Sequence, residues 1–327
     1  MFADQASFFD APIAELGDLG VASSLLALME APGIGSAKAI ALARSFGSWQ
    51  SLRTAEDDAL TAVAGKVAAG IQNLRLIPPP ELPEGVRVVG FFDDDYPEAL
   101  RRIPNPPAVL WVRGTLPTAL SIAIVGTRNP TESGNTMADL LSRTAVGAGW
   151  GVVSGLALGI DIAAHRAALD AQGKTWAFLG SGIDQVTPTR HSSIAEEIVA
   201  SGGGLIAEVP PGVTTAARHL VARNRLQSGS SQSTIVVQTG VPSGTLHTAR
   251  FTIEQGRILA VVQAADSEMS EPRWRGNLAL LDPSGCEASV LSATGVLAKT
   301  ITKRQPVADR SISCAEDLVL LLQELEA

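Results

Sequence analysis

Gly151-Val152-Val153-Ser154-Gly155-Leu156-Ala157-Leu158-Gly159-Ile160-Asp161-Ile162-Ala163-Ala164-His165 is the stretch on which the fold turns. It opens as a short apolar run of strand type. Two glycines then break it, and from Ile160 the residues follow a helical pattern. Strand, glycine turn, helix: this is the first half of a βαβ unit. The same alternation extends from Ser121 to Val262. Apolar runs fall at Ile122–Val125, Gly151–Ser154, Thr175–Leu179, Gly204–Glu208, Thr234–Gln238 and Ile258–Val262. Helical stretches lie between them, at Asn135–Val146, Ile160–Ala171, Ser192–Ala200, Ala217–Gln227 and Leu246–Gln255. The pattern predicts an α/β fold, a parallel sheet with helices on both faces.

In such sheets ligands sit beyond the carboxyl ends of the strands. The loops there are Gly126-Thr127-Arg128, Gly155 to Asp161, Gly180-Ser181-Gly182-Ile183-Asp184 and Ser243-Gly244-Thr245. Glycine lets a backbone approach a ligand closely, amides at a helix start hold oxyanions, and Arg128 neutralises them. Asp161 sits near a helix start, where a carboxylate suits the dipole. The Gly126-Thr127-Arg128 loop also reads as an ordinary strand-to-helix turn with a surface arginine, and His165 as a helix-face histidine satisfied by a neighbour.

Net charge is −8 over 327 residues, with 46% hydrophobic and 18% charged residues. An acidic average opposes nonspecific nucleic-acid binding, unless a local cationic strip is present. Arg218-His219-Leu220-Val221-Ala222-Arg223-Asn224-Arg225 is the expected strip. Guanidinium forks bind phosphate bidentately. The competing reading is a solvated helix face held in salt bridges. In the strip reading, Arg218, Arg223, Asn224 and Arg225 join Gly126, Thr127, Arg128, Gly155, Gly159, Asp161, Gly180, Gly182, Ser243, Gly244 and Thr245 along one rim of the sheet. The set describes an extended polyanion site better than a compact catalytic pocket.

Residues 1–77 read as a small all-α module of helix-hairpin-helix or SAM-like type. Pro32-Gly33-Ile34-Gly35 breaks one helix and Ser36 is placed to cap the next. Gly33, Gly35 and Lys38 would form its phosphate contact. Pro78-Pro79-Pro80 marks a linker, residues 85–265 the core, and 266–327 a C-terminal extension ending in an amphipathic helix at Ala315–Leu325, either core or dimer seam. Cys286 and Cys314 give neither a disulfide framework nor a zinc pattern, and the four histidines are scattered. No catalytic residue, metal or cofactor is expected. No leader or membrane span is legible, so a cytoplasmic location is expected.

Several ordered elements resemble the DprA/Smf family: Phe92-Asp93-Asp94-Asp95-Tyr96-Pro97, Ile124-Val125-Gly126-Thr127-Arg128, Ser154-Gly155-Leu156-Ala157 with Gly159-Ile160-Asp161 and Ala164-His165, Arg223-Asn224-Arg225, and Ser243-Gly244-Thr245. Val221-Ala222 stands where the family has Phe-Pro, and Thr187-Pro188 with His191 where it has Tyr-Pro and Asn. The resemblance implies a Rossmann-like core, a homodimer and binding of single-stranded DNA. It also implies loading of a RecA-type recombinase in transformation, or a related defence role, without catalysis. Arg128, Arg223 and Arg225 would contact phosphates. The alternatives are a nucleotide-binding sensor and a nucleotide-hydrolysing enzyme. Against hydrolysis, no carboxylate follows Pro242-Ser243-Gly244-Thr245 until Glu254.

Overall fold

The computed structural model describes residues 17–67, 71, 81–287, 289, 294–295 and 306–327. The chain divides into two compact units, Met1–Trp111 and Val112–Ala327.

In the first unit, α1 (Ala22–Met29), α2 (Ser36–Phe46), α3 (Trp49–Arg53) and α4 (Asp57–Ala64) form the expected helical module, and a single turn, α5 (Glu98–Arg101), comes later in the unit. Gly33 turns the chain between α1 and α2 with φ of +83°, a conformation that glycine adopts without strain. Ser36 is not the cap of α2: Gly35 holds that position, no side chain caps the helix, and Ser36 is already helical. Trp49 locks the module. Its Nε1 donates to Ser24 Oγ at 2.9 Å, and its backbone N–H donates to Asp18 Oδ1 at 2.9 Å. The sequence reading set a boundary between residues 77 and 85, and its triple proline lies outside the described residues. The division at 111/112 has a packing cause. Strand β1 (Val86–Gly90) brings Gly90 against Ala22, and the Arg44 guanidinium lies over the Phe91 ring, so the segment after the prolines belongs with the helices.

Among the described residues, the second unit carries seven parallel strands: β3 (Ser121–Val125), β4 (Gly151–Ser154), β5 (Thr175–Leu179), β6 (Gly204–Ala207), β7 (Ser233–Val236), β8 (Ile258–Val262) and β9 (Arg310–Ile312). Strand β2 (Val109–Gly114) spans the division between the units. The order in the second unit is β6-β5-β4-β3-β7-β8-β9. The chain therefore steps outward from β3 to β6, then returns to the other flank of β3 with β7. Strands β3 to β7 are buried on every residue, which explains their continuous apolar runs.

Alternation along the strands assigns the two faces. Ile122, Ile124, Val152 and Ile235 pack with α6 (Glu132–Gly147), α7 (Ile160–Asp170) and α12 (Ala315–Glu326). Val125, Val236, Leu259 and Val261 pack with α10 (Thr245–Glu254) and α11 (Arg275–Leu281). Helices α8 (Ser192–Ala200) and α9 (Ala217–Gly229) complete the alternation. The C-terminal segment is thus integrated into this unit. Strand β9 pairs with β8, and α12 buries Leu318, Leu321 and Leu322, so this helix face is core. Sequence reading missed β9 because two of its three residues are exposed and it forms no apolar run.

Candidate nucleic-acid interface

The strand order reverses between β3 and β7, and open α/β sheets bind ligands at such a switch point. A cleft of about 460 Å³ lies there. Its walls are Gly126, Thr127 and Arg128 after β3, Asp161 at the start of α7, Arg223 and Asn224 on α9, and Ser243, Gly244 and Thr245 before α10. Nine of the residues expected from the sequence therefore converge on one site. The volume falls within the range of nucleotide-sized sites.

The remaining six do not line this cleft. Gly155 is buried against α9, and a Cβ there would lie 1.3 Å from Arg223 Nη1. Glycine at 155 makes room for a guanidinium. Gly159, at φ +76°, faces the Thr127–Arg128 backbone, where a Cβ would meet Thr127 O at 2.3 Å. Gly180 packs on Leu220, and the Gly182 amide donates to Val213 O at 2.8 Å. Arg218 is exposed beside the cleft. Arg225 turns away from it: Nη1 and Nη2 donate to Glu208 Oε2 and Oε1 at 2.8 and 2.6 Å.

Two expectations change as a result. Arg223 and Arg225 were to face phosphate, yet both sit in internal ion pairs. The reason is burial. A guanidinium removed from water needs a counter-charge. Arg223 is 5% exposed, and Nη1 lies 3.9 Å from Asp161 Oδ2, too far for a hydrogen bond. Its Nε and Nη1 have no hydrogen-bond partner among the described residues. Burial lowers the Arg223 pKa and raises that of Asp161, while each charge opposes the shift of the other. Thr127 was expected, with the amides that follow it, to hold an oxyanion; its own N–H donates to Gln238 O at 2.7 Å. The Gln238 side chain completes that clamp, accepting from Thr131 N at 2.8 Å and donating to Thr131 Oγ1 at 2.9 Å.

The cationic strip comes from other residues. In the second unit Arg113, Arg143, Arg250, Arg273 and Arg310 all face carboxylates, as Arg225 does. Arg128, Arg166 and Arg190 are exposed and form no ion pair with a carboxylate among the described residues. Arg128 lines the cleft. Arg166 and Arg190 line a second hollow of about 540 Å³ with Asn129 and Gly159, beyond the ridge where Gly159 meets Thr127 and Arg128. Sequence reading missed Arg166 and Arg190 because they lie on different elements, and no linear motif joins them.

His165 and His191 serve the scaffold. Leu156 is a buried non-glycine residue at φ +57°, in the left-handed region. Its N–H donates to His165 Nε2 at 3.3 Å, and its carbonyl accepts from His191 Nδ1 at 2.8 Å. His165 Nδ1 in turn donates to Thr175 Oγ1 at 2.7 Å. Burial, followed by the charges of Arg223 and His191, lowers the His165 pKa to about 3. An unfolded histidine takes up its proton near pH 6.5. This contribution to stability is therefore complete above about pH 6.5 and is lost as pH falls toward 3, by up to about 1.4 kcal/mol per unit. Urea unfolding at pH 7 and pH 5 is expected to show that loss. A His165→Asn variant should be less stable at pH 7 and show a weaker pH dependence. The same dependence in both proteins would refute the assignment.

Comparison with known proteins agrees with this fold. Residues 87–303 match the family described as DNA recombination-mediator protein A. DNA processing protein DprA of Bacillus subtilis is 36% identical over 202 residues, covering 61% of this chain and 66% of that protein. Protein Smf of Escherichia coli is 37% identical over 183 residues, covering 55% of this chain and 49% of that one. The matched stretch is thus less than two thirds of the length of either relative. The structure of DprA from Streptococcus pneumoniae superposes with a TM-score of 0.67 at 21% identity, over 92% of this chain and 97% of that one. DNA processing protein A of Helicobacter pylori superposes with a TM-score of 0.56 at 24% identity, over 73% of this chain and 96% of that one. At these identities the two structures support the fold alone. On the extent of the family match, the chain belongs to the DNA recombination-mediator protein A family.

Proposed function

We propose that the second unit binds single-stranded DNA at the switch-point cleft, as a DNA-handling protein and not as a catalyst. The observation that carries this reading is the placement of Arg128, Arg166 and Arg190. In an acidic chain, these three are exposed and form no ion pair with a carboxylate among the described residues, and they lie around two adjoining hollows, with exposed Arg218 beside the first. Phosphate binding by such groups releases counterions and overcomes an unfavourable net charge. The Helicobacter pylori protein of the same fold is described for its single-stranded DNA binding mode. Against catalysis, His165, which lies near enough to Arg223 to feel its charge, is committed to Leu156 and Thr175.

The same reading includes action in DNA uptake or recombination as a cytoplasmic homodimer, in partnership with a RecA-type recombinase. Gly33, Gly35 and Lys38 in the first unit would add a phosphate contact. Lys38 Nζ lies 3.3 Å from Gly33 O, so the ammonium is held over that turn. The test is fluorescence anisotropy with single- and double-stranded oligonucleotides across a salt series. Preference for the single strand is expected, with log affinity falling linearly against log salt. No binding at low salt would refute the proposal.

A further inference from the structure

We infer that the inner end of the cleft is a nucleobase site selective for guanine, and that phosphates stay at the rim. The inference rests on the single-strand reading above and adds a base preference to it. Two chemically different ends meet in the cleft. At the rim are exposed Arg128 and the Ser243-Gly244 turn. At the inner wall are Asp161 and Arg223, which reach the cleft with only 6% and 5% of their surfaces exposed. A phosphate placed at the inner wall would lie beside a carboxylate, so the charge of Arg223 is already offset there. The uncompensated cation is at the rim.

The inner pair suits a planar group that presents donors and acceptors side by side. Arg223 Nη1 and Asp161 Oδ2 are 3.9 Å apart. They are too distant to satisfy each other by hydrogen bonding; Arg223 Nε and Nη1 are buried, so Nη2 is the donor that Arg223 offers to the cleft it lines. Unpaired bases are read on such edges by hydrogen bonds. Guanine presents two neighbouring donors, N1–H and the exocyclic amine, beside the acceptor O6. The carboxylate takes both donors and the guanidinium takes O6. Adenine, cytosine and thymine each lack the paired donors. Gly155 sets the geometry, because any side chain there would displace the Arg223 guanidinium.

The test uses thymidine oligonucleotides of one length, each with a single central substitution, at fixed salt. Central deoxyguanosine is expected to bind roughly 10-fold tighter than thymidine. Deoxyinosine, which lacks only the exocyclic amine, should lose most of that gain. In Asp161→Asn the ratio of guanosine to inosine affinity should fall to about one. If that variant does not fold, the guanosine–inosine comparison on the native protein decides alone. Equal affinity for the two, or preference for another base, overturns the base site while leaving strand binding intact. Failure to bind any oligonucleotide overturns both. Free deoxyguanosine monophosphate should bind far more weakly than the strand, since it lacks the neighbouring phosphates. Equal affinity would make the cleft a mononucleotide site and overturn the strand-borne assignment.

Discussion

Arg223→Ala is expected to cost about 3–5 kcal/mol of folding stability, because it leaves the buried carboxylate of Asp161 without its counter-charge. The residual contacts of that carboxylate, the Ala157 N–H and the Ser154 side chain, are neutral, and Arg128 acts on it only at longer range. The variant also opens a void over Gly155, where the guanidinium lies. Removing both charges should be less costly than the sum of the two single losses. Arg223→Ala with Asp161→Ala is therefore expected to show a coupling of about 1–3 kcal/mol in a double-mutant cycle by urea unfolding. A loss below about 1 kcal/mol for Arg223→Ala alone would mean that the guanidinium does not balance the carboxylate. An Arg223→Ala, Arg225→Ala double variant consequently reports on folding as well as on DNA. It also strips Glu208 of its bidentate partner.

The informative binding variant is Arg128→Ala, Arg166→Ala, Arg190→Ala. All three side chains are exposed and none holds a carboxylate among the described residues, so stability should change by less than about 1 kcal/mol. Each phosphate contact on a single strand adds about 0.7 to the slope of log affinity against log salt, so the triple variant should lower that slope by roughly 2. At moderate salt this corresponds to a loss on the order of 100-fold. Anisotropy across a salt series reads both quantities. An unchanged slope in a folded triple variant would show that the strand runs elsewhere.

Much of the architecture is written in local pattern. Strands β3 to β8 announce themselves as short apolar runs because the parallel sheet buries both of their faces. Helix positions follow from 3.6-residue periodicity and from turn glycines, and Ser192–Ala200 matches the sequence reading residue for residue. The switch-point loops were legible too, since glycine, threonine and serine at a strand end signal close backbone approach. Where propensity is weak the reading failed: β9 has no apolar run, and Ser36 yielded the cap of α2 to Gly35.

By itself, the sequence determined the α/β alternation, the order of the elements and which loops stand at the ligand-bearing edge of the sheet. Only the tertiary structure decided which charges face the solvent. Arg223 and Arg225 belong to the cationic strip legible in the sequence, yet Asp161 and Glu208, distant in sequence, take them as internal partners. Arg128, Arg166 and Arg190 lie on three separate elements and come together only through the strand order. The physical reason is that periodicity is a property of neighbours along the chain. The state of a charge depends on burial and counter-charge, which neighbours in space supply.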